Sequence, residues 1–232
     1  MSKSSVLNFT QNLNYVSTQF NSSDNYGVAQ VSVTSSGNNL TTGTRTFTAA
    51  GGSSVSGGNG PTTFTVSAVG VTGSANVAGP ISITNSGQYL TANGPTATNN
   101  AATVDTGSTN ATFALTVGIV KTLYTASAND SVIKSISVTS TDTAARIMTI
   151  YTQDSSNVVN YIASVNIPLG SGTASGTTAA VDMLSGLLIP GLPYDSNGKR
   201  VLPLKAGTKL IASVPAVTAS TIISVNVMAE EY

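Results

Sequence analysis

The chain has 232 residues and contains no Cys, no His and no Trp; charged residues make up 8% of it. Nine Lys and Arg balance nine Asp and Glu, so the net charge is zero and no basic stripe points to nucleic acid or an anionic membrane as a partner. Without Cys or His, disulfides, thiol chemistry, the common zinc ligands and the common catalytic triads are excluded.

Disorder goes with high net charge and few β-branched residues. This chain is dense in Val, Ile and Thr, which suit pleated, half-buried surfaces, and Gly, Asn and Ser supply turns between them. An all-β fold is therefore expected. Its polar surface must consist mostly of hydroxyls and amides, which do little to keep copies apart. Such a surface suits a protein that lives in an assembly. No stretch approaches the roughly 20 apolar residues needed to span a bilayer as a helix.

Residues 1–26 read as an extended N-terminal arm. No continuous apolar run follows Met1-Ser2-Lys3, so no secretory signal is expected and synthesis in a cytoplasm is. Leu7, Phe9, Leu13 and Tyr15 sit at odd positions, with Gln11 breaking the series, and that alternation is a strand signal. So short an arm has no core of its own. It is expected to dock outside its own domain by adding a strand to an exposed sheet edge. Leu7, Phe9, Leu13 and Tyr15 would then face the partner.

Residues 27–120 contain an internal repeat and read as a small two-repeat β domain. Val31-Ser32-Val33-Thr34-Ser35-Ser36-Gly37 aligns with Ile81-Ser82-Ile83-Thr84-Asn85-Ser86-Gly87, and Thr63-Phe64-Thr65-Val66 with Thr112-Phe113-Ala114-Leu115. Each unit reads as strand, Gly turn, strand, loop, strand. Gly37 and Gly87 occupy the same place and are expected at positive φ. Two units are fewer than a freestanding solenoid needs, so they are expected to pack on each other or on neighbouring chains.

A charge shift marks a boundary near Gly118–Lys121, because most charged residues follow it. Residues 121–232 read as a C-terminal β-sandwich, jelly-roll-like, with strands at Lys121–Ala126, Ser131–Thr139, Arg146–Gln153, Val158–Ile167, Leu202–Leu204, Lys209–Val214 and Thr221–Met228. Val181–Ile189 is the one segment expected to make a helical turn, ended by Pro190.

No catalytic site, cofactor or metal site is expected. Asp130, Asp142 and Asp154 fall in predicted turns and are expected to bond backbone amides. Glu230 and Glu231 are adjacent and must face opposite ways on a strand. Asp195-Ser196-Asn197-Gly198 lacks the further ligands of a calcium loop. Tyr89, Tyr151, Tyr161 and Tyr194 are expected in core or interface packing.

The segment Ile81–Leu90 followed by Gly94-Pro95-Thr96 resembles the Gly-x-Gly-Tyr β repeats of tailed-bacteriophage virion proteins. Here the turn reads Ser86-Gly87-Gln88-Tyr89 and lacks the second Gly. The stretches Thr122–Ala126, Ser135–Thr139, Ala145–Ile150 and Leu204–Leu210 are similar to phage head-associated β domains. The resemblance implies a structural virion protein, a capsid decoration (cement) protein on the capsid exterior. Its implied partners are the major capsid protein and other copies of itself, often as a homotrimer. A head or tail fibre or adaptor that binds a host surface is the alternative, and a polysaccharide-active enzyme ranks below both.

Overall fold

The structure, a computed structural model, describes residues 12–37, 42–49, 55–56, 60–69, 76–90, 111–173, 178–185 and 189–232. In chain order its strands are β1 (Asn12–Asn21), β2 (Tyr26–Ser35), β3 (Gly43–Thr48), β4 (Thr63–Val69), β5 (Asn76–Asn85), β6 (Thr112–Thr125), β7 (Ser131–Ser140), β8 (Arg146–Gln153), β9 (Val159–Ile167), β10 (Val181–Asp182), β11 (Leu202–Leu204), β12 (Lys209–Val214) and β13 (Ile222–Glu231). The fold is all-β, and among the described residues every pairing is antiparallel.

Three sheets result. The first runs β1-β13-β7-β10, with β11 also on β7; the second runs β2-β6-β12-β8-β9; the third is β3-β4-β5. The first two bury a common core of Ile119, Leu123, Ile133, Ile136, Met148, Ile150, Leu210 and Val225, among others. Their strands alternate as a half-buried sheet requires. In β13, Ile223, Val225 and Val227 are buried while Asn226 is exposed. Each fully buried aliphatic side chain is worth about 1.5–3 kcal/mol relative to exposure.

A second core gathers Val28, Val31, Phe47, Phe64, Val66, Ile83, Tyr89 and Phe113. Phe47, Phe64 and Phe113 form a ring cluster; Phe113 meets each of the other two edge-on with centroids 4.8 Å apart.

The repeat is structural. The first strand of each unit pairs with the last strand of the other: β2 with β6, and β5 with β4. Registers correspond, Val33↔Phe113 and Ser32↔Ala114 matching Ile83↔Phe64 and Ser82↔Thr65. Both ladders shift register at the same next step, before Ser35↔Thr112 and Asn85↔Thr63. The hydroxyls of Thr34 and Thr112 lie 2.7 Å apart, and their equivalents Thr84 and Thr63 lie 2.8 Å apart. Val28 N donates to Ser86 O as Val77 N donates to Ser36 O. Gly37 and Gly87 have φ of 66° and 71°. The two units are thus related by an approximate two-fold and complete each other's sheets.

Three expectations need correction. Residues 12–21 are not part of an arm lying outside its own domain: as β1 they pair with β13 of the same chain from Asn12↔Glu231 to Asn21↔Ile222. Residues 1–11 lie outside the described residues. The cores do change at Gly118, with Phe113, Leu115 and Val117 in one and Ile119 and Leu123 in the other. No linker marks that change, because β6 runs straight through it. Gly118 is needed there, since a Cβ would lie 2.7 Å from Val214 O on β12. Of the segment Val181–Ile189, Val181–Asp182 is strand β10 rather than helix; a helix-like bond does run from Ile189 N to Ser185 O, and residues 186–188 lie outside the described residues.

Candidate interaction face

The outer face of the first sheet carries the side chains that the sandwich core does not use. On β1 the even positions from Asn14 onward turn inward, and Phe20 is fully buried, while Leu13, Tyr15, Ser17 and Gln19 are exposed. Leu13 is 46% exposed and Tyr15 73% exposed. Their cross-strand partners on β13 are Glu230 and Met228. Of the four expected anchors, then, Leu13 and Tyr15 share one open face. Leu7 and Phe9 lie outside the described residues.

Beside Leu13 the face dips into an open depression of about 1000 Å³, lined also by Lys134, Asp195, Arg200, Glu230 and Tyr232. Besides Leu13 of β1, Lys134 comes from β7, Asp182 from β10, Glu230 from the end of β13 with Tyr232 just beyond it, and Asp195 from the loop before β11. Lys134 Nζ lies 2.9 Å from Glu230 Oε2 and 3.7 Å from Asp195 Oδ2. The Tyr232 hydroxyl donates to Glu230 Oε2 at 2.8 Å. Asp195 Oδ1 accepts the amides of Asn197 and Lys199 at 2.9 Å each, which shapes the turn. At the rim the Arg200 guanidinium sits 4.9 Å from the centre of the Tyr194 ring, a cation–π contact.

These contacts fix the charge states. The hydrogen bond from Lys134, then that from Tyr232, holds the Glu230 carboxyl below its ordinary range. The same bond to Glu230 pushes the Lys134 ammonium up. The Lys199 amide leads in lowering Asp195, and the bond to Glu230 leads in raising Tyr232. All four groups are held in their ordinary neutral-pH forms, so none is tuned to exchange a proton there. The arrangement is a fixed polar floor beside an apolar shelf, suited to recognition. Among the described residues no three Asp or Glu side chains gather closely enough to hold a metal ion.

The remaining turn carboxylates act locally or as clasps. Asp154 Oδ1 accepts the amides of Ser156 and Val158. Asp130 Oδ1 reaches Ala206 N, a distant segment. Buried Asp142 is bonded by the Arg146 guanidinium, by the Thr218 hydroxyl and amide, and by Ala144 N. Glu230 and Glu231 do face opposite ways, for Glu231 accepts the Tyr124 hydroxyl. Tyr89 and Tyr151 are buried, whereas Tyr161 and Tyr194 are exposed.

Sequence reasoning did not bring Lys134, Asp195, Glu230 and Tyr232 together. A register shift between Met228↔Ser135 and Ala229↔Ile133 leaves Lys134 unpaired in the ladder. Bulges re-aim a side chain in this way, and no periodicity in the sequence signals this one.

No known family model matches the chain, and neither the characterised proteins nor the solved structures include a match.

Proposed function

We propose that the chain is a structural virion protein of a tailed bacteriophage, a decoration protein held in many copies on the capsid exterior. It would be made in the host cytoplasm and contact the major capsid protein and its own copies, with three-fold closure as the expected form. The observation that carries this reading is the exposed pair Leu13 and Tyr15 on β1, at the edge of a sandwich that is itself fully cored. Large apolar side chains held on a rigid strand have a solvation cost that an assembly contact removes. The low charge of the surface fits permanent residence among other subunits, and the bacteriophage resemblance of the repeat supplies the setting.

A quantitative gel of purified virions that carry the chain gives its copy number per particle. Hundreds of copies support decoration; a few tens or fewer make it a fibre or tail part and overturn the proposal. Substituting Leu13→Ser together with Tyr15→Ser should leave the melting temperature nearly unchanged, because both side chains are exposed, and should weaken particle binding. Undiminished binding removes these two residues from the contact.

A further inference from the structure

A sheet edge invites another strand unless something blunts it, and short strands, charges, proline or a covering segment are the usual means. Nearly every described edge here is blunted. In the first sheet β10 has two residues and β11 three, with Pro203 at its centre. In the third sheet β3 carries Arg45 and β5 carries Pro80. In the second sheet β2 is covered by the 86–89 turn, through Val28 N to Ser86 O and the paired bonds of Tyr26 with Tyr89.

Two edges differ. β1 is ten residues long, without charge, proline or register shift; among the described residues it pairs as a strand with β13 alone, and it packs beside β6 without a ladder. β9 is nine residues long, also without charge or proline, and pairs with β8. Its start is engaged, since Val158, just before it, bridges Ser82, and a bulge falls at Ile162. Ala163–Ile167 is then regular, with Ala163, Val165 and Ile167 facing the core and Ser164 and Asn166 exposed. Each bare edge has an apolar flank: Leu13 and Tyr15 beside β1, and Ile147, Tyr161 and Leu169, each more than half exposed, around β9.

We propose that β1 of one copy adds to β9 of the next, joining the first sheet of one molecule to the second sheet of its neighbour. The occupant is a second copy because each bare edge answers the other in lack of charge and in its apolar flank, and Ala163–Ile167 offers five regular residues to one end of β1. A β9-to-β9 contact about a two-fold would leave Leu13 and Tyr15 uncovered, and a β1-to-β1 contact would leave Ile147, Tyr161 and Leu169 uncovered. A head-to-tail contact covers both, and such contacts close into rings when the rotation permits. This inference rests on the assembly role proposed above and names the surface that role would use.

The absence of Cys from the chain makes the test clean. Full-length Ser17→Cys and Ser164→Cys proteins, both altered at exposed positions, are treated with a short bismaleimide separately and as a mixture. The mixture should yield a cross-linked dimer, each protein alone should not, and the doubly substituted chain should give a ladder. Folding of each variant is checked by circular dichroism. Ser164→Lys with Asn166→Lys should lower the self-association constant, read by sedimentation, by about tenfold or more, because an added strand would desolvate the new charges. Cross-linking of Ser164→Cys alone, or none in the mixture, overturns the head-to-tail contact. That result leaves the decoration role standing if the virion copy number is in the hundreds. A low copy number overturns the decoration role and leaves the cross-linking result standing.

Discussion

Replacing Gly87 with Ala tests how tightly the repeat's turn is built. Gly87 has φ of 71°, a conformation that costs an L side chain about 1–2 kcal/mol. A Cβ there would lie 2.7 Å from Thr62 Oγ1, 2.7 Å from Tyr89 Cε2 and 2.9 Å from Thr62 N. Those atoms are held. The Tyr89 hydroxyl accepts Thr62 N at 2.8 Å and lies 2.9 Å from Thr62 Oγ1, and the Thr62 hydroxyl donates to Ser86 O at 2.8 Å. Tyr89 is fully buried, so the ring has nowhere to retreat. Crowding of this kind costs about 1–3 kcal/mol more, giving a total of roughly 2–5 kcal/mol. Gly198 supplies the control, with φ of 73° and nothing within 4 Å of its would-be Cβ. Gly198→Ala should lose only the backbone part, about 1–2 kcal/mol. Urea unfolding followed by tyrosine fluorescence, undisturbed in a chain without Trp, measures both. Equal losses at the two positions would refute the packing argument.

The repeat symmetry makes Phe64→Ala and Phe113→Ala comparable, since each removes one ring from the same three-ring cluster. Each should cost about 3–5 kcal/mol in urea unfolding, and losses differing by more than about 2 kcal/mol would show that the equivalence is only formal. Asp142 predicts a pH dependence. Burial alone would push its carboxyl up, but the Arg146 and Thr218 side chains and the amides of Ala144 and Thr218 outweigh burial and hold it well below the usual range. A carboxyl lowered on folding stabilises fully above its unfolded value, near 3.9, and loses that contribution as pH falls toward the folded value. Asp142→Asn should therefore be about 3 kcal/mol less stable at pH 7, and the gap should narrow below about pH 4. A gap that stays constant down to pH 2 sinks this account.

The strands were legible because their information is local. Arg146–Gln153 and Leu202–Leu204 were expected with the bounds observed, and Lys209–Val214 likewise, since each alternates or runs apolar between clear turn residues. The repeat was legible from two matched segments, and so was the positive φ at Gly87, where only glycine is comfortable. What the sequence hid is non-local. Nothing within Asn12–Asn21 says that it pairs with residues 222–231, because the same alternation serves a strand docked on its own sheet or on another molecule's. The even positions were the missing clue: Phe20, with Val16 packed beside it, anchors β1 in its own core. The charged depression was hidden for a related reason. It depends on a one-residue shift between β13 and β7, and charges far apart in sequence meet only once that register is set.

The exchange between the two units bears on why a two-unit repeat exists at all. A single unit of strand, turn and strand exposes both sheet faces and both edges, and two or three short strands are marginal alone. Stacking whole units would still leave terminal edges, which is why solenoids need capping repeats. Here the first strand of each unit pairs instead with the last strand of the other, β2 with β6 and β5 with β4. The same exchange carries Phe64 and Phe113 from equivalent places into one aromatic cluster. β6 then continues past Gly118 into the sandwich, where β12 holds its second half. The repeat is therefore tied at β6 to the larger core, while β3 and β5 remain the edges of its third sheet. Selection acting on the repeat's surface can then proceed without loss of its fold, whereas substitutions at Gly87, Phe64 or Phe113 disturb both units together.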